Sequence, residues 1–116
     1  SGTTGTPKGV MLSDRNLVTS AESIIKVLRI TSKNKGAMVI SPHHAFGNSI
    51  INSHLIAGGS VRVGNMNFID SVFNLIGSDV SIFYGVPSTY RILLRYPDRF
   101  KRPLQALEPL HRQVEE

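Results

Sequence analysis

Apolar residues recur at helical spacing in the first third of the chain. They lie three or four positions apart, or adjacent on the same face, at Leu17, Ala21, Ile24, Ile25 and Leu28. Charged residues mostly occupy the positions between them, so the pattern predicts an amphipathic helix with one buried and one solvated face. Ser13 is suited to the N-cap of this helix and Asp14 to its first turn, where an acidic side chain is favourable.

Three short apolar runs further along the chain are typical of buried strands. They are residues 37–40, 60–63 and 80–84. Each run is short, rich in apolar residues and preceded by polar or glycine residues, as expected for strands of a covered sheet.

Helical apolar spacing returns after each of these runs, around residues 50–56, 69–76 and 87–96. Gly58 with Gly59 is expected to stop the first of these helices, and Gly77 the second. Pro87 suits the first turn of the third helix because its fixed φ is helical, and Pro97 is expected to end that helix.

The regular alternation of strands and helices predicts an α/β fold. Each helix must return the chain to the same edge of the sheet, which requires parallel strands joined by right-handed crossovers. We therefore expect a three-layer βαβαβα arrangement with a short, mainly parallel sheet in one domain spanning residues 1–116. Pro109 interrupts the weak helical pattern that begins at Leu104, so residues 108–116 are expected to be a frayed or non-native tail.

Composition limits the class of protein. With 116 residues, of which 41% are hydrophobic, the chain can build one small core. The sequence has no cysteine, which excludes disulfides and thiolate metal sites and is typical of a reducing compartment, so we expect a cytoplasmic location. Its four histidines lack metal-ligand spacing, and no metal site is predicted. Residues 91–102 carry +4 of the net charge of +5, so the basic character is local.

The first nine residues are unusually rich in glycine and hydroxyl side chains. Glycine permits positive φ and close backbone approach, which lets several N–H groups face one bound anion. Lys8 adds a mobile positive charge, and its spacing differs from that of the Walker loop. The residues predicted to bind phosphate are Ser1, Gly2, Thr3, Thr4, Gly5, Thr6, Lys8 and Gly9.

These nine residues resemble the signature of the adenylate-forming superfamily, which includes acyl-CoA synthetases, adenylation domains of peptide synthetases and luciferases. The signature reads Ser-Gly-Thr-Thr-Gly-x-Pro-Lys-Gly, and residues 1–9 match it throughout. The Tyr-Thr pair that usually precedes it is absent here. The resemblance, which spans about residues 1–107, therefore implies a fragment of the larger N-terminal, AMP-binding domain.

A histidine-containing segment follows the first predicted strand, where open α/β sheets place their ligands. Pro42, His44 and Gly47 fit variants of a second family motif, whereas His43 stands where phenylalanine or tyrosine is usual. By resemblance, His44 would lie beside the reacting carboxylate and phosphate and is our candidate catalytic residue; a helix-capping or core histidine is the alternative. His54, within the next helix, is expected to be structural.

The segment after the last predicted strand also resembles the family. It reads Gly-Val-Pro-Ser-Thr-Tyr from Gly85, and the corresponding turn in the family helps to wall the acyl pocket. A simple helix start explains Gly85 and Pro87 equally well. The residues assigned to an acyl pocket are His43, Phe46, Gly47, Gly85 and Pro87.

The resemblance implies an ATP-dependent, acid-activating ligase. A carboxylate, expected to be a fatty acid, would attack ATP assisted by Mg²⁺, and a thiol would then replace AMP to give a thioester. That thiol would belong to coenzyme A or to a carrier-protein pantetheine. Because the segments that complete the nucleotide site are missing, the fragment alone is expected to be inactive.

Two alternatives belong to other classes. The basic residues near the end of the chain alternate with aromatic ones, a pattern that can bind nucleic acid but is more often one solvated helix face. We therefore expect no nucleic-acid partner. The other alternative is a structural fragment whose exposed strand edges make it a homo-oligomer, and this is compatible with the ligase prediction.

Overall fold

A computed structural model describes residues 5–99, which form four α-helices, one turn of 3₁₀ helix and a three-stranded sheet. In chain order the elements are α1 (Asp14–Leu28), β1 (Lys35–Met38), α2 (Ala45–Ile56), β2 (Ser60–Val63), α3 (Ile69–Ile76), β3 (Ile82–Tyr84), α4 (Pro87–Leu93) and the 3₁₀ helix (Pro97–Arg99). No helix within residues 5–99 is both long enough and apolar enough to cross a membrane.

The sheet has the order β2-β1-β3, and β1 pairs in parallel with both neighbours. Gly36 lies opposite Val61 on one side and Ile82 on the other. Parallel neighbours need a crossover connection, and α2 and α3 provide it between successive strands. The predicted α/β class with a parallel sheet is confirmed.

The core lies on both faces of this sheet. On one face, α3 and α4 pack against β1 and β3 around Ala37, Val72, Phe83 and Leu93. On the other face, Met38 and Tyr84 pack against Ile50 of α2. Helices therefore cover both faces, as the three-layer prediction requires, and β1 is buried because it is the central strand.

Capping explains why α1 begins at Asp14. The Ser13 hydroxyl accepts a hydrogen bond from the Asn16 N–H at 3.2 Å, and the Asn16 side chain accepts one from the Ser13 N–H at 3.1 Å. This reciprocal pair satisfies N–H groups that have no partner within the helix. The predicted N-cap is confirmed.

The buried face of α1 is narrower than predicted, so this prediction was wrong in part. Ala21 is buried and Ile24 and Ile25 are half-buried, but Leu17 and Leu28 are exposed. The reason is that α1 packs mainly against α2, which covers only a narrow stripe of its surface.

Strand boundaries differ from the predicted runs. Strand β1 begins at Lys35 and ends at Met38, because Lys35 already lies opposite Ser60 in the ladder. Val39 and Ile40 follow the strand and pack against opposite faces of the sheet, which accounts for their apolar character. Strand β3 begins at Ile82 instead of residue 80, whereas β2 has the predicted bounds.

Two helix boundaries also differ. Helix α2 begins at Ala45, because the His44 carbonyl accepts a hydrogen bond from the Asn48 N–H at 2.9 Å and starts the helical ladder before the apolar pattern begins. Helix α4 ends at Leu93, and further turns lead to the 3₁₀ helix at Pro97. Helix α3 and the glycine stop after α2 agree with the sequence prediction.

Candidate functional site

Two predicted site segments meet at one edge of the sheet. Because β1 and β3 are adjacent and parallel, the connections that follow them both leave from the carboxyl ends of the strands. We call residues 39–44 the first turn and residues 85–86 the second turn. Helices α2 and α4 begin directly after them, so their N-termini lie at this same edge.

The first turn is compact and presents both histidines. Ser41 organises it: its hydroxyl accepts a hydrogen bond from the His43 N–H at 3.2 Å, and its carbonyl accepts one from the His44 N–H at 3.0 Å. His43 and His44 are exposed. His44 occupies the N-cap position of α2, but its side chain makes no capping hydrogen bond. Its imidazole is therefore neither a cap nor part of the core, and its catalytic role remains a prediction.

Gly47 has a clear packing role. It is buried in the first turn of α2, and a Cβ built on it would lie 2.3 Å from the Ser41 carbonyl oxygen. Only a residue without a side chain lets α2 approach the first turn this closely. Phe46, beside it, keeps 48% of its surface exposed and remains available to contact a ligand.

The second turn is supported by α4. The Val86 N–H donates to the Thr89 hydroxyl at 3.2 Å, and Thr89 is buried. A Cβ on Gly85 would lie 2.9 Å from the Thr89 methyl group, so glycine allows the turn to pack against its own helix. Pro87 is the first residue of α4 and is exposed. The helix-start explanation accounts for both residues, and their pocket role stays a prediction.

The glycine loop is described from Gly5 onward; Ser1, Gly2, Thr3 and Thr4 lie outside the described residues. Gly5 has a φ of +79°, the left-handed conformation that glycine adopts without strain. A Cβ on Gly5 or Gly9 would meet nothing within 4 Å, and Thr6 and Lys8 are exposed. Within residues 5–99, no hydrogen bond or ion pair joins residues 5–9 to either turn. The exposed Thr6 and Lys8 side chains are therefore accessible donors, and no hydrogen bond joins the described part of the loop to the histidines.

A third connection at the same edge was missed by sequence reasoning. Residues 64–68 follow β2, and the Gly64 N–H donates to the Met38 carbonyl at 2.7 Å. Phe68, just before α3, keeps 65% of its surface exposed. The rule that locates ligands at strand carboxyl ends applies equally to β2 and could have identified this segment.

Several members of the basic and aromatic run are used in packing. The Tyr90 hydroxyl donates to the Phe83 carbonyl at 3.3 Å. Arg99 pairs with Asp70 and lies 4.7 Å from the centre of the Phe73 ring, and Tyr96 meets the same ring edge to face. These contacts hold the end of the described chain against α3.

Residues 5–99 contain no group of three or more His, Asp or Glu side chains that could hold a metal ion. At the other end of the strands, where β1 and β3 begin, charged side chains form ion pairs with one another. Asp79 pairs there with Lys35 and with Arg62, and the hydrogen bond from Lys35 is the main reason that the pKa of Asp79 is lowered.

The chain is similar to curated acyl-CoA synthetases and CoA ligases. It is 27% identical over 100 residues to the putative acyl-CoA synthetase YngI of Bacillus subtilis (strain 168), covering 84% of this chain and 18% of the relative. It is 32% identical over 98 residues to the probable CoA ligase CCL9 of Humulus lupulus, covering 81% and 19%. It is 30% identical over 100 residues to the acyl-CoA synthetase ALT10 of Alternaria alternata, covering 84% and 17%.

The chain therefore spans less than one fifth of the length of these relatives, between 17% and 19%. No solved structure matches it. A family model described as AMP-binding enzyme matches residues 1–113, which include the glycine loop and all three strand-end connections. The resemblance inferred from residues 1–9 is confirmed by this match, and the chain belongs to the AMP-binding enzyme family.

Proposed function

We propose that this chain is the phosphate-binding part of an ATP-dependent acid–thiol ligase of the acyl-CoA synthetase type. The observation that carries the proposal is the family match over residues 1–113, because it includes the loop and both turns in one continuous segment. The three relatives are named as acyl-CoA synthetases or a CoA ligase, which supports the same reaction class.

In the proposed reaction, a carboxylate oxygen of the acid attacks the α-phosphorus of ATP. A bond from phosphorus to the carboxylate forms, the bond to the bridging oxygen breaks, and pyrophosphate leaves. The sulfur of coenzyme A or of a carrier-protein pantetheine then attacks the acyl carbon, loses its proton to solvent, and displaces AMP. No general base is needed for the first step because a carboxylic acid is already ionised at neutral pH.

The loop would stabilise the charge that develops on the leaving pyrophosphate. Backbone N–H groups around Gly5 and Gly9, the Thr6 hydroxyl and the Lys8 ammonium group are donors of the kind that bind phosphate oxygens. Their exposure supports this role, since none of these groups has to break a hydrogen bond or ion pair with the turns before it binds an anion.

The strand-end edge would hold the acid. His44 would orient the reacting carboxylate, and His43, Phe46 and Pro87 would contact the acyl group. Exposed rings beside a histidine suit an apolar acid such as a fatty acid, which is our proposed substrate class. Gly47 and Gly85 would contribute indirectly, by letting the two turns pack closely.

Mg²⁺ is expected to accompany ATP and to neutralise charge on its phosphates. We assign no residue among 5–99 to the ion, because that part of the chain contains no suitable ligand group. A cytoplasmic location is proposed for the same reaction, in keeping with the absence of cysteine.

The loop can be tested by titrating the ¹⁵N-labelled chain with pyrophosphate. We expect the amide signals of Gly2, Gly5, Thr6, Lys8 and Gly9 to move in the wild-type chain. Replacing Lys8 with alanine should weaken binding about tenfold, because a charge-assisted hydrogen bond is lost. Lys33→Ala is the matched control: Lys33 is also an exposed lysine, but it lies in the turn before β1, and its removal should leave the affinity unchanged.

Equal weakening by the two lysine substitutions would indicate general attraction to positive charge and would contradict a specific loop. Amide signals at residues 2–9 that do not respond to pyrophosphate would remove the basis of the phosphate assignment. Circular dichroism of both variants would verify that each remains folded.

The isolated chain is expected to show no acid-dependent exchange of pyrophosphate into ATP. It spans less than one fifth of the length of its relatives, so most of the groups that would bind the nucleotide and the acid are expected to lie elsewhere. The measurement is exchange of labelled pyrophosphate with a panel of fatty acids. Exchange above the acid-free background would refute this expectation.

A further inference from the structure

A buried histidine–tyrosine pair joins the C-terminal part of α2 to the end of β3. His54 of α2 is completely buried, and its Nε2 lies 3.0 Å from the hydroxyl of Tyr84, the last residue of β3. The rings meet edge to face, with centroids 5.7 Å apart. This is a side-chain hydrogen bond between α2 and the end of β3, the two elements that border the first and second turns.

Two glycines form a slot for the His54 ring. A Cβ on Gly36 of β1 would stand 2.6 Å from Nε2, and one on Gly59 would stand 3.3 Å from Nδ1. Any side chain at Gly36 would therefore displace the ring. Together, the slot and the hydrogen bond fix the position of α2 along its own axis and its rotation about that axis, relative to the sheet.

The surroundings also indicate which ring nitrogen carries the proton. Nδ1 has no hydrogen-bond partner within residues 5–99, but it shares its surroundings with the Asn34 carbonyl: a Cβ built on Gly59 would lie 2.7 Å from the Asn34 oxygen and 3.3 Å from Nδ1. This carbonyl acts to raise the pKa of His54. A proton on Nδ1 is favoured by that carbonyl. Nε2 is then the acceptor, and the Tyr84 hydroxyl donates to it.

We propose that His54 and Tyr84 are a positioning pair that fixes the first and second turns relative to each other, and that the pair works with His54 neutral. Tyr84 directly precedes Gly85 of the second turn. His54 lies ten residues after His44 on the same helix, about 15 Å along its axis, and a helix transmits such a displacement as a rigid body. The proposal relies on the proposed function only in treating these turns as a site.

Protonation of His54 would place a charge beside the apolar cluster of Met38 and Ile50. Burial is the main cause of the lowered pKa of His54, and it raises the pKa of Tyr84 to about 12, so the tyrosine stays neutral. Charged side chains on the elements packed around the pair are exposed to solvent: Asp14, Arg15, Glu22 and Lys26 on α1, Lys35 on β1 and Arg62 on β2. None of these charges is therefore placed to compensate a buried imidazolium.

Because folding lowers the pKa of His54, acidification is expected to destabilise the folded chain. In the unfolded chain His54 takes up a proton near its ordinary pKa of about 6.5, whereas the folded chain resists protonation. The stabilisation from neutral His54 is complete above that pH and is lost as the pH falls below it. The equilibrium constant for unfolding should rise by up to about tenfold per pH unit in this range on account of His54.

The positioning role can be tested with Tyr84→Phe, which removes the hydroxyl and keeps the ring. We expect the amide signals of residues 43–47 to move, because α2 loses its link to β3. Tyr90→Phe is the matched control: Tyr90 is half-buried and, like Tyr84, forms a hydrogen bond through its hydroxyl, here to the Phe83 carbonyl, but it packs on the opposite face of the sheet. The Tyr90→Phe substitution should leave the amide signals of residues 43–47 unchanged. Equal shifts in the two variants, or none in Tyr84→Phe, would overturn the proposal.

A second pair of variants separates positioning from space filling. His54→Gln retains a polar group able to reach the Tyr84 hydroxyl, so it should restore most of the wild-type shifts at residues 43–47, whereas His54→Leu should not. Both substitutions should abolish the contribution of His54 to the pH dependence of the free energy of unfolding. Urea denaturation between pH 7 and 5 measures this dependence. An unchanged pH dependence would refute the neutral-histidine requirement.

These readouts do not depend on ligand binding. If pyrophosphate fails to bind the loop, the proposed function loses its support while the shifts at residues 43–47 still report on the pair. If Tyr84→Phe leaves those signals unchanged, the pair is refuted and the loop assignment is unaffected. Should His54→Leu fail to fold, Tyr84→Phe and its control decide the question alone.

Discussion

Leu93→Ala is expected to lower the free energy of unfolding by about 3 kcal/mol, in the middle of the range for a buried leucine truncated to alanine. Leu93 is 2% exposed and packs with Ala37, Val72 and Phe83 against one face of the sheet. The substitution removes apolar burial and leaves a cavity that the surrounding helices can fill only in part. Urea denaturation followed by circular dichroism measures the loss.

Leu94→Ala provides a control at the adjacent position. Leu94 keeps 55% of its surface exposed, so its truncation should change the free energy of unfolding by no more than about 0.5 kcal/mol. The two variants have the same composition and differ only in which side of the helix end is altered. Equal losses would contradict the described placement of α4 on the sheet.

The second turn depends on this packing, because α4 has little stability of its own. A helix of seven residues is too short to persist in water without tertiary contacts. Leu93 anchors its end, and Thr89 connects its first turn to Val86. A weakened α4 would therefore also release Gly85 and Val86 at the proposed site.

The sequence predicted elements well where local signals and burial coincide. The cap at Ser13, the bounds of β2 and α3, and the glycine stop after α2 were all correct. Each depends on residues within one turn or one strand. The parallel direction of the strands also followed, because alternating strands and helices leave few other connections.

Boundaries set by tertiary contacts were not predictable in the same way. The start of α2 carries no helical apolar pattern, and Gly47 is a poor helix former that usually weakens such an assignment. Its place in the helix depends on close packing against Ser41, which the sequence does not reveal. The early end of α4 and the exposure of Leu28 likewise depend on which neighbours cover each position.

The sequence predicted where the candidate site lies better than it predicted how the side chains around it are arranged. The position of the histidine segment after β1 followed from the strand-end rule, and the exposure of His44 agrees with it. The slot that Gly36 and Gly59 form around His54 was not foreseen, because it depends on how β1, α2 and the turn after α2 pack together. His54 was predicted to be structural and is completely buried, but the sequence could not show its hydrogen bond to Tyr84.

Gly47→Ala is expected to destabilise the chain by about 2 kcal/mol, although alanine is the better helix former. In an ordinary helix interior this change stabilises by about 1 kcal/mol. Here the new methyl group would lie 2.3 Å from the Ser41 carbonyl oxygen, a backbone atom that no rotamer change can move. The steric cost therefore exceeds the gain in helix propensity, and either α2 or the first turn must shift.

Gly9→Ala is the control for this substitution, because a Cβ there would meet nothing within 4 Å. Its effect on the free energy of unfolding should stay within about 0.5 kcal/mol. In Gly47→Ala, the amide signals of His43 and His44 should also move, since both N–H groups bond to Ser41. A stabilised Gly47→Ala chain with unchanged histidine signals would show that α2 does not contact the first turn as described, and the proposed acid site would lose the close packing of that turn.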